Sequence, residues 1–309
     1  MIAWRRPLAV PLTLLGGACG GDFDAEATAS DDVAADGADG DGLVLGSYNL
    51  EFFGAPDRKP VDDALQVANA AKVIAALDAD VLGLQEIMSP SRFEELVGLV
   101  PGYQGLLVTD PRVAGGADAY RDVPFGLAVL FRTPRVTLRS ARIIPDVDPG
   151  RAPLEVELDV ATPAGVVPLV FVVVHFYPFE AEDSWERRRL SGDRLKRHLD
   201  AAYPDAKVAV VGDWNDDVDA SISAGLPSPY AQLRDDAARY RFTTSGLSEG
   251  GQGTTIDFPS TIDHHLVTNE LAALFVPKSA WVERAPFVAD YRATTSDHLP
   301  VITRYAGLR

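Results

Sequence analysis

Residues 208–217 read VAVVGDWNDD. An apolar, valine-rich run meets Gly212, and Asp213, Asn215, Asp216 and Asp217 follow within five positions. A turn after a buried strand needs only one or two side chains of this kind. The surplus points to a strand end that carries chemistry as well as reversing the chain. Gly212 permits a close turn, and Asp213 and Asn215 are the functional candidates. Trp214 between them is expected in the core, with Asp216 and Asp217 serving the turn.

The same arrangement recurs on both sides of this stretch. LVLGSYNLEFF (43–53) has the pattern of a strand with Asn49 near its end. VLGLQEI (81–87) ends in Gln85 and Glu86, and the continuous β-branched run LVFVVVHF (169–176) ends on His175. FGLAVLFR (125–132), LEVELDV (154–160), TIDHHLVT (261–268) and HLPVITRY (298–305) complete the predicted strands. Helices are predicted over 64–77, with Leu65, Ala68, Val73, Ile74 and Leu77 on one side, and over 184–203, with Ser184 as cap and Glu186 in the first turn. Strands with intervening helices argue one α/β (α+β) domain over 43–309, its helices covering a sheet.

The 309-residue chain has a formal net charge of −17. Eight acids and no base lie between Asp22 and Asp41, and residues 43–309 hold 26 bases against 37 acids. No basic stripe of the kind used to grip long DNA stands out. Arg187, Arg188, Arg189, Arg194, Lys196 and Arg197 fall at helical spacing, where such a run reads as a solvated face. Residues 1–19 pair Arg5 and Arg6 with a short apolar stretch and small residues, the pattern of an export signal. Cys19 resembles a bacterial lipoprotein box, with an ordinary cleavable signal as the alternative. Lipidation at Cys19 would place the protein on a membrane surface, and a plain signal would leave it secreted or periplasmic. Residues 20–42, rich in Ala, Gly and Asp, read as a flexible acidic linker.

Asn49, Glu86, His175, Asp213, Asn215, Asp263, Asp297 and His298 thus gather at strand ends, and each alone has a structural explanation. Together they converge on one crevice, where strong acids repel unless a cation compensates them. The set is rich in oxygen and lacks thiolates, which suits Mg²⁺, Mn²⁺ or Ca²⁺ over zinc. A hard cation, histidine donors and an aspartate able to orient water are the means of hydrolysing a phosphate ester.

On these residues the chain resembles the endonuclease/exonuclease/phosphatase superfamily, in the ordered motifs SYNLEFF, LQEI, FGLAVLFR, VVHF, GDWNDD, STIDHHLV and SDHLPV. The resemblance implies a DNase I-like four-layer αββα sandwich and a metal-dependent phosphodiesterase. It places Asn49, Glu86 and Asp297 at the metal, with Glu86 foremost as a direct ligand and Glu51 as a further acid nearby. It implies that Asp213 orients or deprotonates the attacking water and that Asn215 holds the phosphate or that water. His175 would donate to a non-bridging oxygen. His298, its tautomer fixed by Asp263, would do the same or act as acid and base. Phe176 and Tyr177 stand where relatives often carry leucine and a basic residue, which leaves the substrate open. His264 is read as packing or as a groove contact. The expected substrate is DNA or RNA. The alternatives are a phospholipid or inositol-phosphate substrate, with Tyr177, Phe179 and Trp185 as candidate membrane contacts, or a binding module that has lost catalysis.

Overall fold

The β-branched run ending at His175 cannot hide its apolar side chains in a two-sided solvated sheet, so it must lie between layers. In the structure, a computed structural model that describes residues 42–309, it does so. The signal segment, Cys19 and most of the acidic linker lie outside the described residues. In chain order the strands are β1 (Leu43–Phe53), β2 (Val81–Ile87), β3 (Tyr103–Leu107), β4 (Val113–Ala114), β5 (Gly126–Arg132), β6 (Val136–Ile143) and β7 (Leu154–Thr162). They continue with β8 (Gly165–His175), β9 (Val208–Asp213), β10 (Tyr240–Phe242), β11 (Asp263–Thr268), β12 (Trp281–Val282) and β13 (Val301–Tyr305). One sheet has the order β12-β13-β1-β2-β5-β3, the other β10-β11-β9-β8-β7-β6-β4.

The sheets pack face to face through Leu45, Val81 and Val129 on one side and Val156, Phe171, Val173 and Val211 on the other. Gly83 makes that approach possible, because a Cβ there would sit 2.9 Å from methyls of both Val173 and Val211. The outer face of the first sheet is covered by the helices Asp63–Leu77 and Pro90–Leu99. Leu195 and Leu199 of the helix Glu182–Ala202 cover the outer face of the second. The chain is therefore the four-layer αββα sandwich, with each buried aliphatic side chain worth about 1.5–3 kcal/mol.

Several elements depart from the pattern predicted by the sequence. The helix Glu182–Ala202 begins before Ser184, which is buried in the first turn, and Ala181 stands at its cap. Glu182 and Asp183 meet the partial positive charge of that helix end instead. Leu65 is exposed, because the buried amide of Gln66 fixes the rotation of its helix. Gln66 donates to the carbonyls of Leu50, Glu51 and Thr295 at 2.7, 3.0 and 3.0 Å. β13 starts at Val301, since Pro300 has no N–H for the ladder and His298 lies in the preceding loop. The predicted solvated face breaks at Arg188, which is fully buried against Asp216.

Candidate active site

Sheet register alone brings three of the predicted side chains into a row. β8 and β9 run parallel with His175 beside Asp213, and β11 returns antiparallel with Asp263 beside Asp213. Gly212 makes this edge tight: its φ is +139° and a Cβ would lie 2.1 Å from the carbonyl oxygen of Val174. Trp214 turns inward, donating from Nε1 to the carbonyl of His264 at 2.9 Å. His264 is itself buried, bonded to Thr244 and to the carbonyl of Thr261, so it packs and does not line the groove.

The facing edge is built by irregularity. β1 and β2 run parallel until their pairing shifts between Asn49 and Phe53, and β2 slips against β5 between Leu84 and Ile87. Glu51, Phe52 and Glu86 take φ of 41°, 48° and 61° within these bulges, a left-handed backbone that costs energy outside glycine. The bulge turns the Phe52 N–H onto Glu86 Oε2 at 2.9 Å. Asn49 Nδ2 reaches across the two sheets, donating to Glu86 Oε1 at 3.3 Å and Asp213 Oδ2 at 3.1 Å. The loop before β13 supplies His298. It is held by Ser296 Oγ donating to the carbonyl of Asn49 at 2.7 Å and by Tyr291 OH donating to the carbonyl of His298 at 2.8 Å.

His298 donates from Nδ1 to Asp263 Oδ2 at 2.9 Å, and its Nε2 lies 3.7 Å from Asp213 Oδ2. Burial works to lower its pKa, but the carboxylates of Asp263 and Asp213 outweigh burial and hold the ring well above the usual imidazole range. Burial pushes Asp213 up to about 7, the charge of His298 pulling against it and Asp263 and Glu86 adding to it. His175 shifts the other way, lowered by burial and by Arg151 and His298. A neutral base, a buried acid poised near neutrality and an imidazolium are thus collected at one edge, as proton-transfer chemistry requires.

Asn215 sits at φ 54° and donates from Nδ2 to the carbonyl of Phe176 at 3.0 Å, while its backbone N–H holds Asp213 Oδ1 at 2.8 Å. In this arrangement it braces the strand ends. Asp297 is half-buried, with Oδ1 4.0 Å from His298 Nε2. Glu51 is gripped by Arg292 through both oxygens, at 3.0 and 2.8 Å. Burial and Asp297 nonetheless raise its pKa to about 7 against the pull of Arg292.

Arg151 was absent from the sequence reading. It donates from Nη1 to His175 Nε2 at 2.8 Å and to the carbonyl of Phe176 at 3.2 Å, and its guanidinium lies 4.9 Å from the centroid of the Phe125 ring. Nε2 of His175, expected to face substrate, therefore faces a cation. Arg151 supplies the positive charge that Phe176 and Tyr177 do not, and only the short DPGRAP loop (148–153) hinted at it.

Two groups could hold a cation. Asp213, Asp263 and His298 bring ligand atoms within 4.8 Å of one another. Their hydrogen bond and the positive charge on the imidazole make them a proton-handling trio, since a protonated ring has no lone pair to donate. Glu86 and Asp213 form the other, two carboxylates bridged by Asn49 Nδ2, while Asn49 Oδ1 accepts from the Glu51 N–H at 3.0 Å. Those carboxylates crowd together without a lysine or arginine between them, a donor set that fits a hard divalent ion.

A family model described as "Endonuclease/Exonuclease/phosphatase family" matches residues 46–298. No curated protein sequence matches the chain. Among solved structures, the human Nocturnin catalytic domain with bound sulfate is 20% identical, with 86% of this chain and 94% of that one covered and a TM-score of 0.62. D. rerio TDP2 complexed with single strand DNA product is 16% identical over 86% and 99%, with a TM-score of 0.59. The Bacteroides thetaiotaomicron mannosyl-6-phosphatase Bt3783 is 16% identical over 84% and 98%, with a TM-score of 0.56. The match over the site-bearing strands shows that the chain belongs to the endonuclease/exonuclease/phosphatase family, hydrolases of phosphoester bonds that generally depend on divalent metal.

Proposed function

We propose that this protein is an exported, lipid-anchored phosphodiesterase that uses Mg²⁺, or Mn²⁺ or Ca²⁺ in its place, to hydrolyse DNA or RNA. The observation that carries the reading is the row His175–Asp213–Asp263 with His298 bonded to Asp263 and Arg151 set against it. Asp213 accepts a proton from the water that attacks phosphorus. His298, protonated and oriented by Asp263, donates from Nε2 to a non-bridging oxygen or to the departing ester oxygen as the P–O bond breaks. Asn215 keeps Asp213 aimed, and Arg151, held by His175 Nε2, supplies positive charge for the phosphoryl oxygens. Glu86, with Asn49 and Asp297 nearby, would hold a hard cation, which would supply neutralisation of charge on the phosphate.

Export and anchoring rest on Arg5 and Arg6, the apolar stretch behind them and Cys19. Nucleic acid is favoured by the guanidinium beside the site and is the ligand of the TDP2 complex among the structural neighbours. A phospholipid head group is the second reading. Phe258 is 65% exposed and Ile256 43%, and the Ile256 N–H binds the carbonyl of Asp297 at 2.8 Å, so this apolar loop borders the site. Phe179 is also exposed, whereas Trp185 is tied to the carbonyl of Pro227 at 2.8 Å. The test is turnover with Mg²⁺ of plasmid DNA, RNA, sphingomyelin vesicles and a phosphoinositide. Cleavage of DNA or RNA is expected. Turnover of lipid alone would replace the substrate, and turnover of none would favour a binding module.

A further inference from the structure

Beside the catalytic row lies a second concave site, of about 290 Å³, lined in part by Arg151, Arg187, Arg194, Tyr177, Asp148 and Ser191. Arg187 and Arg194 are seven residues apart on the helix Glu182–Ala202, two turns along one face. The other cations of this helix are largely committed. Arg188 is bound to Asp216, Arg189 to Glu186 and Asp193, and Lys196 to Asp200 and Asp236. Arg197 is exposed and donates to the carbonyl of Asp193. Arg187 instead lies over the Tyr177 ring, 4.4 Å from its centroid. Among the described residues neither Arg187 nor Arg194 has a carboxylate within ion-pair distance.

The one acid on the wall, Asp148, is occupied. Its Oδ1 accepts from the N–H groups of Gly150 and Arg151 at 3.1 and 3.2 Å, and its Oδ2 from Ser191 Oγ at 3.2 Å. Three arginines therefore line one recess of a chain whose net charge is −17, a local field that concentrates anions. Arg151 belongs to both places, touching His175 on one side and lining the recess on the other. The recess is at the small end of ligand sites, roughly 300–1,000 Å³, a size for one substrate unit.

We propose that this recess is a second anion subsite, which takes the phosphate next to the scissile one while the Tyr177 ring lies against the nucleoside between them. The assignment rests on the nucleic-acid reading above and adds to it a requirement for two phosphates. Planar guanidiniums suit phosphate through paired N–H groups, and Arg187 already stacks on an aromatic ring.

The test is calorimetric binding, with Mg²⁺ present, of thymidine 3′,5′-bisphosphate against thymidine 5′-monophosphate. The intact chain should bind the bisphosphate about tenfold more tightly, and Arg187→Ala/Arg194→Ala should lose that preference. Arg197→Ala, on the same helix but outside the recess, controls for general loss of positive charge and should keep it. Equal affinities in the intact chain, no measurable binding of the bisphosphate, or a preference that survives the double substitution or falls equally with Arg197→Ala would each overturn the subsite. Oligonucleotide cleavage is scored separately. A preference for the bisphosphate without such cleavage would remove nucleic acid as substrate and leave the two-anion recess standing.

Discussion

Asp213 and Asp216 are three residues apart in one run and equally hidden from solvent, yet their surroundings differ in kind. Asp216 meets Arg188 at 2.8 Å and accepts from Ser221 Oγ and the N–H groups of Asp217 and Ile222 at 2.8, 2.9 and 2.8 Å. Burial raises its pKa, and Arg188 with those hydrogen bonds pulls back. Asp213 has Asn49 and Asn215 as donors, and among the described residues its only positive neighbour within ion-pair distance is the ring of His298, already shared with Asp263, since His175 beside it is held neutral. A buried acid with its own permanent cation holds the fold. One left short of a partner stores cost at the place where a substrate and its ion arrive.

Substitutions at the two acids and their partners separate these roles. The largest expected effect is on turnover: Asp213→Asn should lower kcat by ~10³–10⁴-fold, the upper reach of acid–base catalysis. Steady-state kinetics on the best substrate read this, and retention within tenfold would break the contrast. Arg188→Met should cost about 3–5 kcal/mol of stability in urea denaturation, because it strands the charge of Asp216. A loss below about 1 kcal/mol would mean that Asp216 is not structurally compensated. Asp263→Asn should lower kcat by ~100-fold with a smaller change in KM, since His298 loses its orienting partner. Arg151→Ala is the smallest, about tenfold in kcat/KM; a loss as large as that of Asp213→Asn would move Arg151 into the proton-handling group.

The same contrast explains what could be read in advance. Asp213, His175 and Asp263 were legible because regular strands end where their apolar runs end, and register then aligns them. Asn49 and Glu86 were legible as residues, but the bulges that aim them were not, since the left-handed backbone of Glu51, Phe52 and Glu86 leaves no mark on side-chain type. Arg292 meets Glu51 across 241 positions, and Arg151 arrives from a loop without periodicity. β3, β4, β6, β10 and β12 were missed; they lie outside the centres of the sheets, where short length or mixed polarity blurs the alternation. Arg188 was hidden among solvated arginines, because burial of one member of a charged run depends on a partner 28 positions away.

The central claim, that Asp213 is held at a cost for function, is met most directly by urea denaturation of Asp213→Asn with chelator present. Raised from 3.8 to about 7, the carboxyl lowers folded stability as pH climbs between those values. The variant should therefore exceed the intact chain by on the order of 1–3 kcal/mol at pH 8. That excess should shrink toward zero near pH 4. A variant less stable than the intact chain at pH 8 would contradict the account, because it would show Asp213 to be a favourably paired structural acid like Asp216.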